Sequence, residues 1–254
     1  MKISTTKNSY LTRIIVVLAW IFIWQILSMI VNKEILLASP ISTFLAFIEL
    51  IQTKEFYVAI FNTSYKILLG FSSSLIVALF MALLSSKSIL IKEFIKPINF
   101  LAKTIPVASF VILCLIWVSS ENLSIVISFI MTFPIIYTNT LNAIENINSD
   151  VRNFVKVYKI SVFRQIRYIY ISEIMEIIKS SINVCIGLAF KAGIAAEVIG
   201  IPINSIGENL YKSKIYLDTQ NLFAWTIAII MVSMVIEKII MALIEFFVGR
   251  LELR

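Results

Sequence analysis

Residues 67–86 read ILLGFSSSLIVALFMALLSS, a stretch free of Asp, Glu, Lys and Arg that lies between Lys66 and Lys87. A helix that crosses the hydrocarbon core of a bilayer needs about 20 mostly apolar residues, and this stretch supplies them. The same test succeeds at 14–32, 104–120, 122–144 and 219–236, and a sixth apolar region, 169–199, passes apart from five interrupting charges. Composition agrees. The 254 residues are 59% hydrophobic and 15% charged, against about one quarter charged in an average soluble chain, and the mean hydropathy is +0.94. Too little polar surface remains to cover a water-soluble globule, so the apolar excess faces lipid. The reading is an all-α integral membrane protein with six transmembrane helices, near 14–31, 62–86, 98–119, 122–144, 169–199 and 219–247, forming a single membrane domain over 1–254.

Composition also removes classes of function. The chain contains no histidine, which excludes Ser-His-Asp and Cys-His catalysis and any His-ligated metal or haem. No G-x-x-x-x-G-K-[ST] occurs among its six glycines, so it cannot cradle nucleotide phosphates in a P-loop. Any ATP is therefore bound by another polypeptide. Cys114 and Cys185 lie in apolar stretches without metal-ligand spacing and read as small core hydrophobes. The expectation is a chain that is not an enzyme, with no catalytic residues, metal or cofactor of its own.

The net charge of +7 has a topological source. Six spans place both termini on one side. If that side is the cytoplasm, the inner segments hold thirteen Lys and Arg, whereas the outer ones hold only Lys33, Lys54, Lys212 and Lys214. That is a positive-inside bias, and it accounts for the basic balance without nucleic acid. The first apolar run is long for a signal peptide and is read as a retained span. Residues 39–51, SPISTFLAFIELI, predict a short interfacial helix outside. Pro106 and Pro134 fall within apolar spans, where each removes a helix hydrogen bond. They read as packing kinks or as gating elements.

The longest inner segment is NINSDVRNFVKVYKISVFRQIRYIYIS, 146–172. Val151, Phe154, Val155 and Tyr158 recur at helical spacing, while Arg152, Lys156 and Lys159 take the other side. With Ser149-Asp150 as a cap, this predicts an amphipathic helix along the cytoplasmic face. It would either rest on anionic membrane lipid or be presented to a cytoplasmic partner.

The charges within 169–199 form a pattern. At about 100° per residue, Glu173, Glu176, Ser180, Asn183, Gly187 and Lys191 fall within an arc of about 80°. Intramembrane polar residues face a bundle interior or a water-filled cavity, so this stripe points at a pathway or a partner subunit. Glu173, Glu176 and Lys179 start near the inner interface, where charged side chains snorkel. Lys191 lies about 18 Å further along the helix. There it either bridges helices or favours an anionic group that passes it.

Several of these stretches resemble one family. The 146–172 segment is similar in place and spacing to the E-A-A-x3-G-x9-I-x-L-P motif of the permease subunits of binding-protein-dependent ATP-binding-cassette importers. Aligned on Ile169 and Ile171, it reads Asn153-Phe154-Val155, with Lys159 at the glycine and Ser172 at the proline. LLASPISTFLAFIELI, after the first span, looks like the family's Leu-Pro-Ser-Pro entry, NTSYKILLGF looks like its second-helix start, and TIPVASFVILCLIWVSSENLS and FPIIYTNTLNAIENI resemble its third and fourth spans. FKAGIAAEVIGIPINSIGENLYKSKIYLDTQNLFAWTIAII, 190–230, looks like the nitrate, sulfonate and taurine branch.

The resemblance covers about residues 36–245. It implies a type I importer permease fold in a bacterial cytoplasmic membrane, with a second permease subunit completing the pathway. It further implies a cytoplasmic ATPase dimer that carries ATP and Mg, and an extracytoplasmic substrate-binding protein. It assigns coupling to Asp150, Arg152, Asn153, Phe154, Val155, Lys156, Tyr158 and Lys159. It also assigns an external gate near Glu197, Gly200 and Gly207, and it suits a small anionic substrate. An ion-coupled secondary transporter and a non-transporting scaffold are the alternatives.

Overall fold

The structure is a computed structural model that describes residues 6–147, 157–158 and 171–252, with side chains described over 12–147, 157–158 and 175–246. The 67–86 stretch forms the second half of α3 (Lys54–Ser85). Its helix starts thirteen residues before the charge-free run because Thr53 caps it, accepting the Phe56 N–H at 3.2 Å. Helix α1 (Thr6–Val31) precedes it, and α2 (Pro40–Leu50) begins where expected: Ser39 accepts the Ser42 N–H at 3.1 Å with Pro40 in the first turn.

After α3 come α4 (Ile89–Thr104) and α5 (Val107–Cys114), and then the long α6 (Ser120–Glu145). The chain ends with α7 (Ile171–Gly200), α8 (Ile206–Ile215) and α9 (Thr219–Glu252). Among the described residues, five helices are long and apolar enough to cross a membrane: α1, α3, α6, α7 and α9.

The expected third span, 98–119, needs correction. Its place is taken by α4 and α5, which meet at an angle of 110°. The cause is Pro106. A proline disfavours helical backbone in the residue before it, and Ile105 is extended at φ −71°, ψ 130°. Side-chain pairs show that the two bent halves still bring the chain back across the bundle. Gly70 faces Ile125 and Ser128, Ser74 meets Thr132, and Ser85 meets Tyr137, so α3 and α6 ascend together. Since α6 starts beside Lys66, the α4–α5 pair must return along the height of α3 from 85 to 66, about 28 Å at 1.5 Å per residue. That is close to the thickness of a hydrocarbon core, and counting the pair as one broken span gives six crossings.

The core is the contact of α3, α6 and α7. Along α3 the buried positions facing α6 are small: Gly70, Ser74, Ala78 and Ala82. This small-xxx-small seam lets two backbones approach where lipid supplies no hydrophobic drive between helices. Hydroxyls join across it, from Thr132 to Ser74 at 2.8 Å and from Tyr137 to Ser85 at 2.9 Å. Helix α7 runs antiparallel to α6: Ser128 donates to the Ala189 carbonyl at 3.2 Å, and Asn139 donates to Ser181 at 2.9 Å. Ile67, Ile136, Ile186 and Phe190 fill the space between the three helices. Cys114 and Cys185 are both buried, as their apolar settings implied. Outside this core, α1 is held at one end, by Trp24 Nε1 on the Ala38 carbonyl at 3.0 Å and by the Trp24 ring 5.4 Å from Phe223.

Candidate functional site

Helix α7 carries the site because its two faces differ. Ser181, Ile182, Cys185, Ile186, Ala189, Phe190 and Ala192 are buried against α3, α5 and α6. Glu176, Ser180, Asn183, Gly187 and Lys191 are all exposed. The five polar or small residues singled out in the sequence therefore share one uncovered face, with Val184 and Ala195 beside them. At Gly187 a Cβ would meet nothing within 4 Å. Neither Lys191 nor Glu176 has a salt-bridge partner among the described residues. The helix thus presents a polar stripe that no other described part of this chain covers, one that carries an uncompensated cation. Glu173 lies in the same helix, and its side chain falls outside the described ones.

The residues expected at an external gate lie in a packed joint. Glu197 is within α7, not in a loop, and is fully buried. Its Oε2 accepts the Thr63 hydroxyl at 2.8 Å and the Gly207 N–H at 3.3 Å. Gly207 is there to allow contact: a Cβ on it would lie 2.2 Å from the Glu197 Cβ and 2.6 Å from the Val198 N. Gly200 approaches Leu123 in the same way, at 2.8 Å. The left-handed turn that follows α7 is made by Ile201, at φ 50°, while Gly200 stays helical.

Sequence reasoning missed the partners of this joint. Thr63, Lys66, Glu121 and Ser124 come from α3 and α6. Lys66 pairs with Glu121 at 2.6 Å, and the other Glu121 oxygen accepts the Ile203 N–H at 3.0 Å. Lys66 and Glu121 were visible in the sequence as the charges that end two apolar runs. Their i, i+3 companions Thr63 and Ser124 were the available signal that those ends are polar faces.

At the other end of the bundle, Lys92 pairs with Glu145, and Lys103 donates to Thr138 at 2.8 Å. Asn139, Asn142, Ala143, Asn146, Ile147 and Ile177 line a small pocket of about 240 Å³ there. Of the expected coupling residues, Asp150, Arg152, Asn153, Phe154, Val155, Lys156 and Lys159 lie outside the described residues. Tyr158 lies within them and is exposed.

Residues 74–253 match the family model described as "Binding-protein-dependent transport system inner membrane component". Over 207 residues the chain is 23% identical to a protein of Bacillus subtilis (strain 168) named "Putative aliphatic sulfonates transport permease protein", an alignment that spans 80% of this chain and 74% of that one. The family match runs from within α3 to the end of α9 and so includes the bent pair, the α7 stripe and the Glu197 end of the joint, while Thr63 and Lys66 precede it. Such a permease is a multi-pass inner-membrane transport subunit, and membership implies an ATPase and a binding protein as partners. The chain belongs to the binding-protein-dependent transport system inner membrane component family, the permease subunits of ATP-binding-cassette importers.

Proposed function

We propose that this chain forms half of an ATP-driven import pathway, with the uncovered stripe Glu176, Ser180, Asn183, Gly187 and Lys191 lining it. The observation that carries this reading is the asymmetry of α7, buried on one face and polar and open on the other, where Lys191 has no ion-pair partner among the described residues. A lipid-facing surface would not hold an uncompensated lysine and an asparagine at that depth. A second permease subunit, either an identical copy or a paralogue, would face this stripe and complete the pathway. Glu197, Gly200 and Gly207, at the end of α7 where α8 packs, would belong to the external gate and lie toward the binding protein. The opposite end would then be cytoplasmic, with both termini on that side.

ATP and Mg would be held by a separate cytoplasmic ATPase dimer that docks on the 146–168 segment through Phe154, Val155 and Tyr158. Closure of the ATPases would rock the two permease subunits as rigid bodies, exposing the pathway to alternate sides. Lys191 favours an anion, and the sulfonate named for the Bacillus subtilis relative is of that class. A small sulfonate or similar organic anion is the proposed substrate.

The deciding experiment is to tag the chain, extract it gently from its native membrane and identify its companions by mass spectrometry. An ATPase with a P-loop in about equal copies supports the reading. Recovery of the chain alone, from preparations that retain other complexes, overturns it in favour of an ion-coupled transporter or a scaffold. Lys191→Met tests the substrate class. Reduced uptake of a sulfonate with assembly intact is expected, and unchanged uptake would refute anion selection at this position.

A further inference from the structure

The joint around Glu197 has a chemistry that packing alone does not require. A fully buried carboxylate is costly unless its charge is met. Here the donors come from α3 and from the start of α8, and both reach Oε2, while the equally buried Oε1 accepts none among the described residues. Thr63 of α3 donates its hydroxyl to Glu197 Oε2 at 2.8 Å, and the same oxygen of Thr63 accepts the Ile206 N–H at 3.0 Å. The Gly207 N–H adds a second contact to Oε2 at 3.3 Å. Ile206 and Gly207 are the first two residues of α8, so Glu197 and Thr63 together satisfy amides that the start of a helix leaves free. A negative charge at that position also complements the α8 macrodipole. Lys66 and Ser124 lie within electrostatic reach of the same carboxylate. Glu197 thus caps the start of α8 from another helix, through Oε2.

The turn between the two helices depends on such an anchor. Ile201 holds φ 50°, a left-handed conformation that a β-branched residue adopts only under constraint from its surroundings. Its N–H bonds the Glu197 carbonyl at 2.7 Å, while Glu121 holds the Ile203 N–H from α6. The 201–205 turn is therefore fixed at both ends to α3, α6 and α7.

We propose that Glu197 is a positioning residue: its charge locks α8 and the 201–205 turn to the α3–α6–α7 core, so that this end of the permease moves as one body. Its consequence for transport rests on the gate placed here under the proposed function. The lock itself does not.

The test uses the whole importer assembly in nanodiscs and follows amide hydrogen exchange. Glu197→Gln keeps the shape and removes the charge, and Thr63→Val removes the hydroxyl that serves both Glu197 and Ile206. Thr63→Ser keeps that hydroxyl. Exchange of the 206–212 amides is expected to rise by at least about tenfold in Glu197→Gln and Thr63→Val, the factor that loss of one charge-assisted hydrogen bond brings. Amides of α3 and α6 should stay protected, and Thr63→Ser should behave as the parent. Unchanged exchange at 206–212 in both variants overturns the lock, as does an equal loss of protection in Thr63→Ser. If Glu197→Gln does not assemble, Thr63→Val and Thr63→Ser decide the matter alone. Sulfonate uptake separates the two claims. Loosened α8 with normal uptake leaves the lock standing and removes the gate, whereas protected α8 removes the lock whatever uptake does.

Discussion

Gly70→Ala and Gly187→Ala place the same methyl group on two helices of the bundle, and the structure assigns them opposite outcomes. At Gly70 the new Cβ would lie 2.2 Å from the Ile125 carbonyl oxygen, where ordinary contact begins at 3.4 Å. The obstacle is hydrogen-bonded backbone within α6, so it cannot rotate away, and α3 and α6 must part by about 1 Å to restore contact. The same seam contains the 2.8 Å Thr132–Ser74 and 2.9 Å Tyr137–Ser85 hydrogen bonds, which a shift of that size stretches beyond useful length. Overpacking of this kind costs about 1–3 kcal/mol, and each interhelical hydrogen bond lost in a membrane protein adds roughly 0.6 kcal/mol. The helix preference of alanine over glycine returns about 1 kcal/mol, leaving a net loss of about 2 kcal/mol.

At Gly187 nothing lies within 4 Å of the added carbon, so only the propensity term acts and the chain should gain up to about 1 kcal/mol. Unfolding midpoints of the detergent-solubilised chain, titrated from a mild into a denaturing detergent, measure both. A Gly70→Ala midpoint equal to or above that of Gly187→Ala refutes the seam. The assembled importer adds a second readout. If the Gly187 face meets a partner subunit or the moving substrate, the variant that is more stable as a single chain transports more slowly.

Three further outcomes follow. In the Lys66–Glu121 pair the side chains are 17% and 49% exposed, so Glu121→Ala strands a mostly covered cation and should cost about 1–3 kcal/mol, whereas Lys66→Met should cost under about 1 kcal/mol; equal costs would refute that asymmetry. Outside the membrane spans, the hydrogen bond that Lys212 donates to the Glu208 carboxylate holds its ammonium above the ordinary value of 10.5. A raised folded value means that this contribution is fully present below 10.5 and is lost as pH rises through the folded value, so stability should fall more steeply above that point in the parent than in Lys212→Met, and parallel curves would refute it. Finally, Ile201→Asn replaces a β-branched residue at φ 50° with one that tolerates the left-handed region. It should raise the unfolding midpoint, and a lower midpoint would show that Ile201 is held without strain.

Much of the fold was legible because hydrocarbon imposes one test on every span. The charge-free runs found α3, α6 and α9, and the stripe from Glu176 to Lys191 came out on one uncovered face of α7 because a 3.6-residue period fixes direction once the helix is known. Helix ends were less legible. Lys54, Glu55 and Lys66 all belong to α3, so absence of charge marked the depth of the apolar layer and not the length of the helix. The Glu197 joint was half legible: Glu197 and Gly207 were noticed, but Thr63 lies 134 residues from the Glu197 it bonds, and Glu121 lies 82 residues from the Ile203 N–H it accepts. No local pattern carries that pairing.

The two prolines noted in apolar spans show why a sequence rule can hold at one site and fail at another. Pro106 and Pro134 each remove one donor from a helix and each strain the residue before them. Helix α6 nevertheless runs unbroken through Pro134 from Ser120 to Glu145. Pro134 is buried, and the helix around it is gripped by Ser74 and Tyr137 contacts to α3 and by Ser181 and Cys185 contacts to α7. Any bend there would break several interhelical bonds to relieve one. Pro106 lacks that grip. It and the preceding Lys103 and Thr104 are exposed, so the helix is free to end at Thr104 and restart at Val107. The outcome at a membrane proline is set by the number of neighbours that oppose the bend. A break left open at mid-chain is thus informative: in a bundle this tightly sewn elsewhere, the 110° corner marks the part of the return path that no other described element of the chain holds straight.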